Sequence, residues 1–235
     1  MNDIDILKLY FSGEELGKAV EKYENGIPAA YIIGEWEFCG DRYYIDENCL
    51  IPRCDTERIV ECLLENLPNN AYFADLCTGS GCIAISTLKR KTDSKALAID
   101  ISEKALDVAK KNAQLNGVEN RVDFLCSDIF KTNFEKRKFD VIVSNPPYIP
   151  TRDLEKLDEY VKKEPVSALD GGMDGMDFYN FIVREFKSNL AENGKFIFEI
   201  GFDQEEQIKK VAQENGFACT VKIDYSGNPL VALLL

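Results

Sequence analysis

From residue 71 to the C-terminus, short apolar runs alternate with amphipathic stretches of helical spacing, and that alternation restricts the fold more than any other feature. Runs near 71–76, 95–100, 121–126, 139–144, 194–200, 217–223 and 229–235 read as strands. Helical stretches lie between them. Ser102 caps one that ends at Asn116-Gly117, residues 175–192 supply another stopped near Gly194, and Asp203 with Glu206 forms a capping-box pattern for a third ending at Asn215-Gly216. Helical crossovers join parallel strands, whereas the last two runs, separated only by Asp224–Asn228, are too close for a crossover and must form a hairpin. The expected fold class is therefore α/β, a doubly wound and mainly parallel sheet. Ligands of such sheets lie outside the carboxyl ends of the strands. Asp75, Asp100, Asp128 and Asn145 all fall at such ends and are expected to converge on one cleft.

Two of these ends carry motifs. After the first run, Asp75-Leu76-Cys77-Thr78-Gly79-Ser80-Gly81 turns through two glycines into a helical pattern. Glycines there permit positive φ and let a ligand approach the backbone. The dinucleotide fingerprint G-x-G-x-x-G is not met, because Cys77 stands in the first glycine's place. Asp75 would repel a pyrophosphate but suits a cationic ligand. Asp100 ends the next strand 19 residues after Gly81, where a carboxylate suits a ribose diol.

The second motif is Asn145-Pro146-Pro147-Tyr148, directly after the run Phe139–Ser144. An Asn side-chain carbonyl and a proline main-chain carbonyl make an acceptor-only surface, suited to the NH2 of an amide or of a base amine. Two prolines hold φ fixed, so the acceptors are rigid before binding. Tyr148 can cover a flat substrate group. A Pro-Pro pair that merely ends a strand is the plain alternative. Position favours the first reading, since the motif falls where the glycine turn predicts a partner.

Composition removes other classes. There is no histidine, which excludes Ser-His and Cys-His triads and any imidazole base. The eight cysteines show no C-x-x-C spacing, and most sit in apolar runs, so buried free thiols are expected and no metal site. The net charge is −13; residues 1–70 hold 15 Asp+Glu against 6 Lys+Arg, so long-range attraction to a polyanion is not expected. No membrane span or signal peptide is visible, which points to the cytoplasm. Residues 3–24 read as one or two short helices, closed by Asn25-Gly26 and Pro28. A hairpin of 35–39 and 43–45 follows, turning at 40–42, and Asp55-Thr56-Glu57 opens a helix to about Asn66. The expected organisation is a helical segment at 1–30, a β-hairpin linker at 31–54 and a catalytic domain at 55–235.

These motifs resemble the HemK/PrmC-type protein-(glutamine-N5) methyltransferases, which use S-adenosylmethionine to methylate the glutamine of a Gly-Gly-Gln motif in peptide chain release factors. The likeness runs from about Gly26 to the end. It rests on 26–34, on the string Pro52-Arg53-Cys54-Asp55-Thr56-Glu57, on 75–81, Ser127-Asp128, 145–148 and Gly171–Gly175. The Pro-Arg-x-Asp-Thr-Glu string is the most specific, because Asn-Pro-Pro-Tyr is shared with nucleic-acid amino methyltransferases. The resemblance implies a Rossmann-like class I methyltransferase domain, a seven-stranded, mainly parallel sheet with an antiparallel last strand. It implies that Asp75, Cys77, Thr78, Gly79, Ser80 and Gly81 hold the methionine portion of the cofactor and Asp100 its ribose. Asp128 then meets the adenine amine and Ile129 its ring. It places Asn145 and Pro146 on the glutamine NH2 as catalytic acceptors, Tyr148 on the amide, and Pro147, Arg53 and Glu57 along the substrate cleft. Cys77, Cys54 and Ile129 depart from the family's commoner residues, and the N-terminal helical segment is shorter than usual. The implied partner is a release factor, met by a monomer without nucleic acid, membrane or metal, with S-adenosylhomocysteine as product. Two rivals share the motifs: a methyltransferase acting on adenine N6 or guanine N2, and a cofactor-binding module that does not catalyse.

Overall fold

The computed structural model describes residues 2–224 and 226–235. In chain order its elements are helices α1 Asp3–Tyr10, α2 Gly13–Glu24 and α3 Ala29–Ile33, then a hairpin of β1 Glu35–Phe38 and β2 Asp41–Tyr44. There follow α4 Glu57–Asn66, β3 Tyr72–Leu76, α5 Cys82–Arg90, β4 Lys95–Asp100, α6 Glu103–Leu115, β5 Val122–Cys126 and β6 Phe139–Ser144. The chain ends with α7 Asp177–Phe186, β7 Leu190–Glu199, α8 Glu205–Glu214, β8 Cys219–Ile223 and β9 Pro229–Leu234. The main sheet has the order β5-β4-β3-β6-β7-β9-β8. All pairs from β5 to β7 are parallel, and β9 runs antiparallel to both β7 and β8. The expected terminal hairpin is present, and its second strand slots inside the sheet, leaving β8 at the edge.

Period-two burial explains the layers. Along β3, β6 and β7, Phe73, Val141, Val143 and Ile197 face a core shared with α4, α5 and α6. Their neighbours Ala74, Leu76, Ile142, Phe196 and Phe198 face a second core under α7 and α8. A parallel strand covered on both faces reads as a continuous apolar run, which is why these segments are legible as strands. Burying side chains such as Phe196 and Phe198 contributes roughly 1.5–3 kcal/mol each. A small separate cluster of Leu7, Ala19 and Ala29 holds the N-terminal helices together.

Local punctuation misleads in three places, and cysteine burial in a fourth. Helix α7 stops at Phe186, a 3-10 turn covers Lys187–Asn189, and β7 already begins at Leu190, before Gly194. The Asn193-Gly194 pair is a bulge instead of a helix stop: pairing jumps from Phe139↔Leu190 to Val141↔Lys195, and Asn193 takes φ 63°. The first residue of α8 follows Gln204, whose side chain makes no capping bond, so the Asp203/Glu206 capping box does not form. The hairpin turns at Cys39-Gly40, with Phe38 opposite Asp41, instead of at 40–42, and α3 is an additional helix. Finally, all eight cysteines are free, but Cys54 and Cys126 are exposed and only Cys49, Cys62 and Cys82 are buried. Cys126 lies on an edge strand, which has no neighbour to cover it.

Candidate active site

Strands β3 and β6 are parallel neighbours with Leu76 opposite Ser144, and the Ser144 hydroxyl donates to the Leu76 carbonyl at 2.6 Å. The chain leaves β3 towards β4 on one side and β6 towards β7 on the other, so a crevice opens between their carboxyl ends. The glycine turn follows Leu76 and the Asn-Pro-Pro-Tyr motif follows Ser144. Both therefore border one cavity of about 590 Å³, whose walls include Cys77, Gly79, Asp100, Asp128, Ile129, Asn145 and Pro147.

At the glycine-turn end, local hydrogen bonds build the wall. Gly81 precedes α5 at φ 80°, and a Cβ there would lie 2.8 Å from the Ile85 Cδ1 and 3.1 Å from the Ala109 Cβ. Only glycine suits that position. Asp75 is buried behind the turn, where its Oδ2 accepts from the Thr78 hydroxyl at 2.6 Å and the Ala84 amide at 3.2 Å. Burial pushes its carboxyl up to about 7, and its Oδ1 has no hydrogen-bond partner. Asp100 accepts from the Gly79 amide at 2.8 Å and the Ser102 amide at 2.9 Å, while burial raises its carboxyl. Asp128 accepts from the Phe130 amide at 3.0 Å, and its bond from the exposed Lys131 lowers its carboxyl. Ile129 is buried beside it. Thr78 and Ser80 are buried in the frame of the turn and do not border the cavity.

The acceptor end is assembled from distant segments. Asn145 turns its Nδ2 towards the Thr56 hydroxyl, 3.4 Å away. Pro147 borders the cavity; Pro146 and Tyr148 do not. The Tyr148 ring packs on the second core, with its hydroxyl 3.5 Å from the Glu199 Oε1. Residues 171–175 lie directly on this motif. The Gly171 amide donates to the Ile149 carbonyl at 2.9 Å, and a Cβ on Gly171 would come within 2.6 Å of the Tyr148 Cα. Gln204 clamps the same place, its Nε2 donating to the Tyr148 carbonyl at 3.0 Å and the Gly175 carbonyl at 3.2 Å. Arg53 pairs with the buried Glu164, whose other oxygen accepts from the Ile51 amide at 3.0 Å. That pins the stretch before α4, and with it Asn48, Cys49 and Leu50, along the cavity. Glu57 does not border the cavity; its Oε1 accepts from the Cys39 amide at 2.7 Å and so ties α4 to the hairpin turn.

Glu164, Glu199 and Gln204 are the framework residues that sequence reading passes over. Glu199 falls in a run that reads as a strand, Glu164 outside every predicted element, and Gln204 beside the capping-box pattern of Asp203 and Glu206. A buried charge on an otherwise apolar strand was the one available clue, and it concerned Glu199 alone. The cavity offers carboxylates at the ends of β4 and β5 and close backbone approach at Gly79, while the orphaned oxygen of Asp75 lies buried behind the turn and off the cavity wall. Those features fit a ligand with a diol, an amine-bearing ring and a cationic end.

Sheet order, antiparallel β9 and a cleft at this switch point define a class I S-adenosylmethionine-dependent methyltransferase. A family model described as "Methyltransferase small domain" matches residues 56–164. A ribosomal protein L11 methylase from Lactobacillus delbrueckii subsp. bulgaricus shares the fold, with TM-score 0.58 and 23% identity over 81% of this chain and 83% of that one. The release factor glutamine methyltransferase of Aquifex aeolicus is 36% identical over 225 residues, 95% of this chain and 78% of the relative. Its counterpart in Geobacter sulfurreducens is 40% identical over 202 residues, 85% of this chain and 70% of the relative. The chain belongs to the release factor glutamine methyltransferase family.

Proposed function

We propose that this protein transfers a methyl group to the side-chain N5 of the glutamine in a release factor's Gly-Gly-Gln motif. The observation that supports it most is Asn145: it borders the same cavity as Gly79 and Asp100 while its own NH2 is turned back to Thr56, leaving Oδ1 for a ligand. Cys77 and Gly79 in the turn, Asp100 and Asp128 with Ile129 are the residues that would hold S-adenosylmethionine, and Asp75 would set a negative potential behind its cationic end. When bound, that cofactor supplies an electrophilic methyl on a sulfonium leaving group.

An amide nitrogen is a poor nucleophile because its lone pair is delocalised into the carbonyl. The task of the site is alignment and partial localisation of that pair. In this reading Asn145 Oδ1 accepts one N–H bond of the glutamine at the cavity wall, and the Pro146 carbonyl, which does not border the open cavity, takes the second once the side chain is seated against the motif. Pro147 and the 171–175 loop keep the acceptors from moving. As the nitrogen becomes positive, the two acceptors would stabilise it, and the methylated amide cation, a strong acid, would then release one N–H proton to water, so no strong base is needed. Tyr148 acts here from behind the motif, fixing its backbone. The protein works in the cytoplasm as a monomer, with a protein substrate and neither nucleic acid nor membrane as partner.

The test supplies methyl-labelled cofactor together with a release factor, its Gln→Ala variant, DNA or RNA. Label in the release factor alone, recovered on hydrolysis as N5-methylglutamine, is the expected result. Label in a base amine, or in no acceptor at all, overturns the reading.

A further inference from the structure

We propose that Glu199 is a positioning residue which, with Thr56, holds the Asn145 side-chain NH2 and thereby turns Asn145 Oδ1 towards the substrate; this rests on the amide-methylation reading above. The register places the two residues side by side. Ser144 of β6 lies opposite Phe198 of β7, so Asn145 and Glu199 are the next positions on parallel neighbours. Glu199 is 3% exposed, and its Oε2 makes no hydrogen bond of good geometry. Its Oε1 is 3.5 Å from the Tyr148 hydroxyl, and its main-chain carbonyl is held by the Tyr179 hydroxyl at 2.8 Å. A buried carboxyl oxygen left without a partner costs roughly 1–3 kcal/mol or more, so its retention calls for a role.

The role follows from donor and acceptor inventory. Asn145 works only one way round: Oδ1 facing the cavity grips an NH2, whereas Nδ2 facing it would grip a carbonyl. Thr56 cannot choose, because a hydroxyl both donates and accepts. An ionised carboxylate only accepts, so it pairs with Nδ2 and never with Oδ1. Its negative charge also stabilises the positive charge that develops on the methylated nitrogen. Protonated Glu199 gains a donor and loses this selectivity.

Burial pushes the Glu199 carboxyl up to about 7, opposed by the side chains of Thr56, Asn145 and Tyr148. The titratable groups facing it are the Asp55 carboxylate, which raises it further, and the Tyr148 and Tyr179 phenols. Both phenols are themselves raised by burial and stay neutral in this range, and Arg53 is the cation nearest Tyr148 in influence. Orientation of Asn145 should therefore improve as pH rises through about 7.

The experiment uses the full chain and two readouts. With release factor and saturating cofactor, Glu199→Gln should lower kcat by about tenfold or more, with cofactor Kd within about twofold, and should abolish a rising limb in wild-type kcat. Independently of any substrate, the Asn145 side-chain amide resonances, assigned against Asn145→Asp, should shift with a midpoint near pH 7 in the wild type. They should not titrate in Glu199→Gln, and Thr56→Val should displace them. Amide resonances indifferent to pH and to both substitutions, or equal kcat in folded Glu199→Gln, would overturn the proposal. A wild type that titrates as described but leaves the release factor unmethylated would instead defeat the functional reading.

Discussion

The two ends of the cleft hold the same kind of buried group in differently built frames. At the glycine-turn end, the bonds around Asp75 and Asp100 join residues between 75 and 102, the widest of them spanning 21 positions. At the acceptor end, bonds reach 89 positions from Asn145 to Thr56, 111 from Arg53 to Glu164 and 51 from Tyr148 to Glu199. Yet both ends bury a carboxyl with one orphaned oxygen, Asp75 Oδ1 and Glu199 Oε2, and both carboxyls are pushed up to about 7. The contrast teaches that a cavity wall can be encoded locally, whereas the orientation of a single side-chain amide, that of Asn145, depends on several segments meeting.

Four measurements would break or sharpen that contrast. The largest effect is expected from Asn145→Ala, which should reduce methyl transfer by roughly 10²–10³-fold while cofactor affinity by calorimetry changes little. Comparable loss of both would erase the division between the two ends.

Next come the paired carboxyls in the cofactor-free protein. Their ordinary values are 3.8 for Asp75 and 4.5 for Glu199, both below their folded values of about 7. At the acid end both states carry the proton and stability is unaffected. As pH rises the unfolded chain ionises first, so stability falls until the folded groups also ionise near 7, by on the order of 4 kcal/mol for Asp75 and 3 kcal/mol for Glu199. Urea unfolding should show Glu199→Gln and Asp75→Asn gaining on the wild type with rising pH; parallel curves would contradict the burial argument.

Smaller again is Glu164→Ala. It frees the half-exposed Arg53 to solvent but leaves the Ile51 amide without its acceptor, which should cost about 1–3 kcal/mol of stability and weaken cofactor binding through the 48–50 wall. Lys131→Ala should be nearly silent, since solvent screens its exposed pair with Asp128. A several-fold change in cofactor affinity there would show that the Asp128 wall depends on its counter-ion.

Strand positions were legible because buried parallel strands advertise themselves as apolar runs, and the glycine turn because its conformation demands glycine. The Asn193-Gly194 bulge and the failed capping box at Asp203 were misread for a shared reason: turn residues mark a break in local regularity without saying which element is broken. For the site, the order of motifs was enough to bring Asp100, Asp128 and Asn145 to one cavity, whereas Asp75, expected with them, lies buried behind the glycine turn and does not border it. Motif order did not place Glu57, which ties α4 to the hairpin, nor turn Tyr148 inward to Glu199.

By itself, the order of residues determined an alternating, mainly parallel sheet and the two motifs that end its strands, a glycine turn and Asn145-Pro146-Pro147-Tyr148. Periodicity and turn chemistry are local properties, so they survive without a fold. Tertiary structure alone decided which way the Asn145 amide turns, what pins residues 48–53 over the cavity, and which acids lose their water. Those outcomes depend on through-space partners and desolvation, which exist only once Thr56, Glu164, Glu199 and Gln204 are packed around the motif.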